Sequence, residues 1–354
     1  MVPVVDLSRR GARFAARFGE VATEVAAGGH LLLGERTARF EECFASWTTA
    51  DHACAVASGA SALQLALAAV GVGRGDEVIL PSFTAVPTAS AVCALGATPV
   101  LAEVDEGTAC LDADEVARLR TPRTSAVIVV HLYGYPAPIP DTDLPVIEDA
   151  AQAHGALHDP GRSAATAYSF YPTKVLGGIG DGGAVVTNDP AIDATVRTLR
   201  VHGMSDVQYR HTSVSQNFRM SELEAAWLTL CLDEVDADVA RRREIAARIQ
   251  ARSGTHRWQT EHPDHAHHLL VLRTTERDGL RTALASRGIA TAVHYPYAVH
   301  QQPAYAHLST ERLPASTGWA AECVSVPCFP EMTDAETDDV AGALAAAAAG
   351  IAQR

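Results

Sequence analysis

The sequence predicts an α/β protein, with a large domain built on a mainly parallel sheet covered by helices and a smaller C-terminal α+β domain. Three observations predict it. Short apolar runs alternate with helix-like segments from Val78 to Val130, the pattern of a parallel sheet buried on both faces. A glycine-and-serine loop, Ser58-Gly59-Ala60-Ser61, opens a helical run near the start of the chain. The 354 residues are 47% hydrophobic and 20% charged, enough for a large core and most simply two domains, 1–238 and 239–354.

Taken in order, residues 10–48 alternate charged and apolar groups at helical spacing and break at Gly28-Gly29. Ser61 and Gln64 have capping-box spacing, so a helix is expected to start there, with its free N–H groups and dipole favouring an anion. An ordinary capped helix would use the same residues. Strands are expected at Val78-Ile79-Leu80, Pro99-Val100-Leu101 and Ala126–Val130, with helices at Ala85–Leu95 and Asp114–Arg120 between them. Ligands of such sheets sit at the carboxyl ends of the strands. Pro81-Ser82-Phe83-Thr84, His131-Leu132-Tyr133-Gly134 and Asp149 all follow strands and are expected to converge there.

Gly178-x-Gly180-x-x-Gly183 has the outline of a dinucleotide fingerprint, but it leads into the β-like run Ala184-Val185-Val186-Thr187 instead of opening a helix, which excludes that reading. Ser221 with Glu224 marks a further capped helix. Beyond residue 240 the pattern is helix, strand His268–Arg273, helix Gly279–Arg287 and an amphipathic end helix containing the alanines at 345–349, which suggests a small domain closing over a substrate.

The chemistry concentrates between Pro145 and Thr187. An apolar run, Pro145-Val146-Ile147, delivers Glu148 and Asp149, and Tyr168-Ser169-Phe170-Tyr171 leads to Lys174 and then Gly177-Gly178. A carboxylate at a strand end can keep a pyridine nitrogen protonated, and a lysine amine can form a Schiff base with an aldehyde. Asp149 and Lys174 are therefore candidates to hold pyridoxal phosphate. Taken singly, the acid is equally a helix cap and the lysine equally a solvated surface residue.

The segments Glu148-Asp149-Ala150-Ala151-Gln152-Ala153-His154-Gly155, Ser169-Phe170-Tyr171-Pro172-Thr173-Lys174 and Gly180-Asp181-Gly182-Gly183 resemble the signature of the DegT-type sugar aminotransferases, which are fold type I pyridoxal-phosphate enzymes. The resemblance runs from Val5-Asp6-Leu7 to the Pro327 region. It implies a seven-stranded sheet in the large domain, catalytic roles for Lys174 and Asp149, and a phosphate site at Ser58, Gly59, Ala60 and Ser61 with Ser169 as a further hydroxyl. It also implies Gln152 on the cofactor's ring hydroxyl, and Asn217 and Arg219 reaching phosphate or substrate in the neighbouring subunit of a homodimer; Phe83 is the candidate aromatic for the cofactor ring. His294 and Tyr295 match a segment lining the substrate pocket, while His202-Gly203 and Tyr209-Arg210-His211 match without an assigned role. The reaction implied is amino transfer, with glutamate as donor, to a nucleotide-linked keto-sugar or keto-cyclitol.

Two departures stand out. An aromatic residue that stacks on the cofactor is common two positions after Phe83, where this chain has Ala85, so either Phe83 supplies the stacking or the contact is missing. The connection from Tyr135 to Leu144, with prolines at 136, 138 and 140, replaces a usual helix and predicts a thinner outer wall. Dehydratases on this scaffold carry histidine at the position of Lys174, and a non-catalytic sensor would be expected to lose the lysine or the acid; both are present.

A formal net charge of -14 argues against nucleic acid and an anionic membrane surface. The seven cysteines lack Cys-x-x-Cys spacing and read as small buried residues of a reducing cytoplasm. No apolar run reaches membrane-spanning length, and the amino terminus lacks a secretory pattern. The histidines at 262, 265, 267 and 268 lack the helix-and-acid context of a zinc site, so no metal is expected.

Overall fold

The computed structural model describes residues 1–156, 163–308 and 312–352; residues 157–162, inside the central stretch read above, lie outside them. Two amphipathic helices, α1 (Leu7–Gly28) and α2 (Glu35–Trp47), come first, separated at the Gly28-Gly29 break where Gly29 is left-handed with φ 71°. Seven strands follow: β1 (His52–Val56), β2 (Glu77–Pro81), β3 (Thr98–Ala102), β4 (Thr124–Val130), β5 (Val146–Asp149), β6 (Ala165–Ser169) and β7 (Gly183–Thr187). They form one sheet in the order β1-β7-β6-β5-β4-β2-β3. Pairing is parallel from β3 through β6, and β7 runs antiparallel to both its neighbours.

The helices between these strands are α3 (Gly59–Ala69), α4 (Val86–Ala94) and α5 (Asp114–Leu119). Strand β2 is buried along its whole length, as a strand covered on both faces must be. In β1 and β7, Cys54, Val56 and Val185 enter one apolar cluster while Ala53, Ala55, Ala184 and Val186 enter another, the alternation of a pleated strand between two cores. The second cluster is sealed by aromatic edges: Phe170 meets Phe40 and Phe44 at 5.3 and 5.2 Å in T-shaped contacts. Truncating a fully buried phenylalanine of this kind costs about 3–5 kcal/mol.

Between β4 and β5 the chain contains only a 3-10 turn, Leu132–Gly134. The proline-rich remainder is pinned by His131, whose Nδ1 accepts the Ala137 N–H at 2.9 Å. That bond leaves Nε2 as the protonated nitrogen, donating to buried Glu148 at 2.8 Å. A histidine–carboxylate pair thus holds this wall where a helix is missing.

After β7 come α6 (Pro190–Arg200), α7 (Glu222–Leu232) and the long α8 (Val235–Arg252). A three-stranded antiparallel sheet, ordered β10-β9-β8, is built from β8 (Arg257–Trp258), β9 (Leu270–Arg273) and β10 (Cys323–Val326). It shares a third apolar cluster with α8, α9 (Arg277–Ala285) and the end helix α11 (Asp334–Ala352), which follows α10 (Pro314–Glu322). Val2 joins this cluster through a bridge to Ile289, so the amino terminus returns to the C-terminal unit.

Candidate active site

The carboxyl ends of β1, β2, β5 and β6 open onto one cavity of about 500 Å³, which Lys174 and Asp149 both line. Asp149 ends β5 and is 5% exposed. Its Oδ2 accepts the Thr88 hydroxyl at 2.8 Å and its Oδ1 accepts the Ala151 N–H at 3.2 Å. Burial raises its pKa, while Thr88, Ala151 and the charge of Lys174 pull it back down. A cation placed against this carboxylate would supply what the interior withholds.

Lys174 follows β6 in a tight turn, its N–H donating to the Tyr171 carbonyl at 2.8 Å. The buried guanidinium of Arg10, on α1, donates to the carbonyls of Pro172 and Lys174 at 3.1 and 2.9 Å. The Trp227 indole on α7 donates to the Gly177 carbonyl at 2.9 Å. These bonds fix the backbone that carries the amine. Burial lowers the Lys174 pKa to about 8, against the opposing attraction of Asp149, which enlarges the neutral, nucleophilic fraction.

The phosphate candidate is the start of α3. Ser58 is its N-cap, with Oγ accepting the Ser61 N–H at 3.1 Å. The helix therefore begins earlier than the Ser61–Gln64 spacing predicted, because Ser58 already supplies the cap. Ser58, Gly59 and Ala60 line the cavity beside Ser169, whereas Ser61 supports the cap from behind the lining. First-turn N–H groups of a helix have no intrahelical acceptor, so those of Gly59 and Ala60 suit an anion. A Cβ at Gly59 would lie 2.5 Å from that of Ser169, which restricts the position to glycine.

Phe83 requires a correction. It is completely buried and stacks on Trp319 at 6.0 Å; the residues of that loop that line the cavity are Thr84, Ala85, Val86 and Thr88. Phe83 therefore packs into the core against Trp319, and smaller side chains face the cavity. Gln152 lines the cavity but already bonds twice: its Oε1 accepts the Tyr133 N–H at 2.6 Å and its Nε2 donates to the Tyr295 hydroxyl at 2.9 Å. Tyr295 lines the cavity, while His294 lies against an adjoining one, with Nδ1 2.8 Å from the Ser325 hydroxyl. Asn217 and Arg219 line neither of these two cavities; Arg219 Nε donates to Asn217 Oδ1 at 2.9 Å, and Asn217 is exposed.

Sequence reasoning missed Thr88, the hydroxyl on Asp149, and Asp181, which lines the cavity from the glycine loop. Thr88 had a signal: it is a hydroxyl-bearing residue in the first turn of a mostly apolar helix that leaves a strand end. Of the four histidines near residue 265, His265 is held by Gln259 Oε1 at 2.9 Å and by the His267 N–H at 2.9 Å.

Residues 14–345 match the DegT/DnrJ/EryC1/StrS aminotransferase family. The chain belongs to that family. It is an aminotransferase, and its cofactor is pyridoxal phosphate. It is 41% identical to the dTDP-3-amino-3,4,6-trideoxy-alpha-D-glucose transaminase of Streptomyces venezuelae over 352 residues, covering 94% of this chain and 92% of that protein. Its fold matches the crystal structure of S. venezuelae DesV in complex with a ketimine intermediate, with a TM-score of 0.92, 39% identity and 98% of each chain covered. NtdA from Bacillus subtilis with bound cofactor PMP matches with a TM-score of 0.92 at 25% identity, over 98% of this chain and 85% of that one. The donor set of this aminotransferase fits the cofactor: a buried carboxylate, a lysine amine of lowered pKa and a capped helix start surround one cavity. Among the described residues no helix is long and apolar enough to cross a membrane.

Proposed function

We propose that this aminotransferase moves an amino group from glutamate to the keto carbon of a nucleotide-linked keto-deoxysugar or a related keto-cyclitol. The observation that carries the reading is the shared cavity of Lys174 and Asp149, and the sugar class is supported by the transaminase named above, to which the chain is 41% identical. Bound pyridoxal phosphate supplies an electron sink that stabilises charge at the substrate carbon. Asp149 holds the proton on the ring nitrogen. Lys174 would hold the cofactor through its amine, and that amine, when free, would carry a proton to and from the substrate carbon. Ser58, Gly59, Ala60 and Ser169 would bind the phosphate and Gln152 the ring hydroxyl, while His294 and Tyr295 would face the substrate.

The reading extends to assembly. Asn217 and Arg219 act in the neighbouring active site of a homodimer; they line neither of the two cavities described above. The subunit divides into 1–238 and 239–354, and the seven free cysteines suit a reducing cytoplasm. Incubating the enzyme with glutamate and a panel of keto-sugar nucleotides tests the substrate. Replacement of a keto oxygen by an amino group in the product's mass is expected with at least one nucleotide sugar, and an enzyme that consumes glutamate but aminates none of them removes the sugar assignment.

A further inference from the structure

A second cavity, of about 350 Å³, shares Lys174, Tyr171 and Tyr295 with the first. Its wall includes Arg242 from α8 and His268 just before β9, which are 1% and 7% exposed. Arg242 Nη1 donates to the carbonyls of Cys328, His267 and His268 at 2.6, 3.3 and 3.5 Å. These are neutral acceptors. Among the described residues the side-chain hydrogen bonds of this guanidinium all go to carbonyls, and its Nε and the Nδ1 of His268 lack hydrogen-bond partners. Burial pushes the Arg242 pKa down to about 10 and that of His268 well below its ordinary value.

An unpaired buried cation is costly, and proteins normally pair it. The planar fork of arginine matches a carboxylate. A single guanidinium in a cavity of this size suits a small acid better than a diphosphate, and the cavity reaches Lys174, where the donor's nitrogen must arrive. We infer that this cavity binds a carboxylate of the amino-acid donor, with Arg242 as its counter-ion and His268 as a second contact. The inference rests on the aminotransferase reading of Lys174 and locates the donor within it.

Glutarate, which has two carboxylates and no amine, is titrated calorimetrically into the cofactor-free protein. Glutamate is added to the enzyme loaded with pyridoxal phosphate, and conversion of the cofactor's aldehyde form to its amine form is followed by absorbance. In Arg242→Gln both dissociation constants are expected to rise roughly 10- to 100-fold, the scale of a lost charged hydrogen bond, with cofactor affinity unchanged. Ala292→Asp, on the same wall, gives the cavity an internal carboxylate and is expected to weaken glutarate similarly; it carries the test if Arg242→Gln does not fold. A folded variant that binds both acids like the wild type overturns the inference while leaving the aminotransferase reading intact. A loaded wild-type enzyme that no amino acid converts overturns both.

Discussion

The Thr88 hydroxyl donates to Asp149 Oδ2 over 2.8 Å, joining the first turn of α4 to the end of β5 at the wall of the cavity. Both residues are buried, so this bond is one of few that offset the cost of a carboxylate there. Thr88→Val keeps the shape and removes the donor. Hydrogen bonds to charged groups contribute about 1.5–3 kcal/mol, so cofactor affinity is expected to fall roughly 10- to 100-fold. Fluorescence titration with pyridoxal phosphate measures it; equal affinity would show that Asp149 does not depend on Thr88.

Lys174 should announce its lowered pKa in the pH dependence of cofactor capture. Only the neutral amine attacks an aldehyde. With a pKa of about 8, the capture rate of cofactor-free enzyme should climb with pH and level off above about 8 instead of continuing toward the ordinary lysine value. Stopped-flow absorbance at several pH values tests this, and a rate still rising steeply well beyond that point contradicts it. Lys174→Ala should lose both the absorbance band of lysine-bound cofactor and turnover.

The layout of the sheet was legible because its strands are short apolar runs with turn residues between them. The helices at 86–94 and 114–119 fall within a residue or two of expectation for the same reason. Of the two alternatives at the Ala85 departure, the one that stacks Phe83 on the cofactor fails, since Phe83 does not line the cavity: its ring has a partner in Trp319, far along the chain, which sequence cannot reveal. Arg242 was invisible for a related reason. In the run Arg241-Arg242-Arg243-Glu244 its neighbour Arg241 pairs with Glu244 and Asp334 at the surface, and only the helix's orientation buries the middle arginine.

Glu224 presents a pH-dependent contact beneath the glycine loop. Its Oε2 accepts the Gly180 N–H at 2.8 Å, and a Cβ at Gly178 would lie 1.6 Å from its Oε1, so the loop must be glycine to pack there. Burial raises the Glu224 pKa from 4.5 to about 7. The folded protein therefore binds this proton more tightly than the unfolded chain. The resulting stabilisation is complete below about 4.5 and is lost as pH rises through about 7, a change on the order of 3 kcal/mol. Glu224→Gln should flatten that part of the stability profile in urea unfolding between about pH 4.5 and 8. An unchanged slope would assign it to other groups.

Asn217 and Arg219 give the sharpest test of shared active sites. They bond to each other and line neither of the two cavities that Lys174 borders, so substituting them should leave the residues around their own Lys174 untouched. In the proposed homodimer, Arg219→Ala and Lys174→Ala are each expected to be nearly inactive on their own. In a hybrid dimer, one active site would combine both defects and the other would contain neither. Mixing the two variants under conditions that exchange subunits should therefore restore a substantial part of the wild-type rate, measured as amine formation from glutamate. If exchange is demonstrated by mass spectrometry and no activity returns, each chain completes its own site and the roles of Asn217 and Arg219 lie elsewhere.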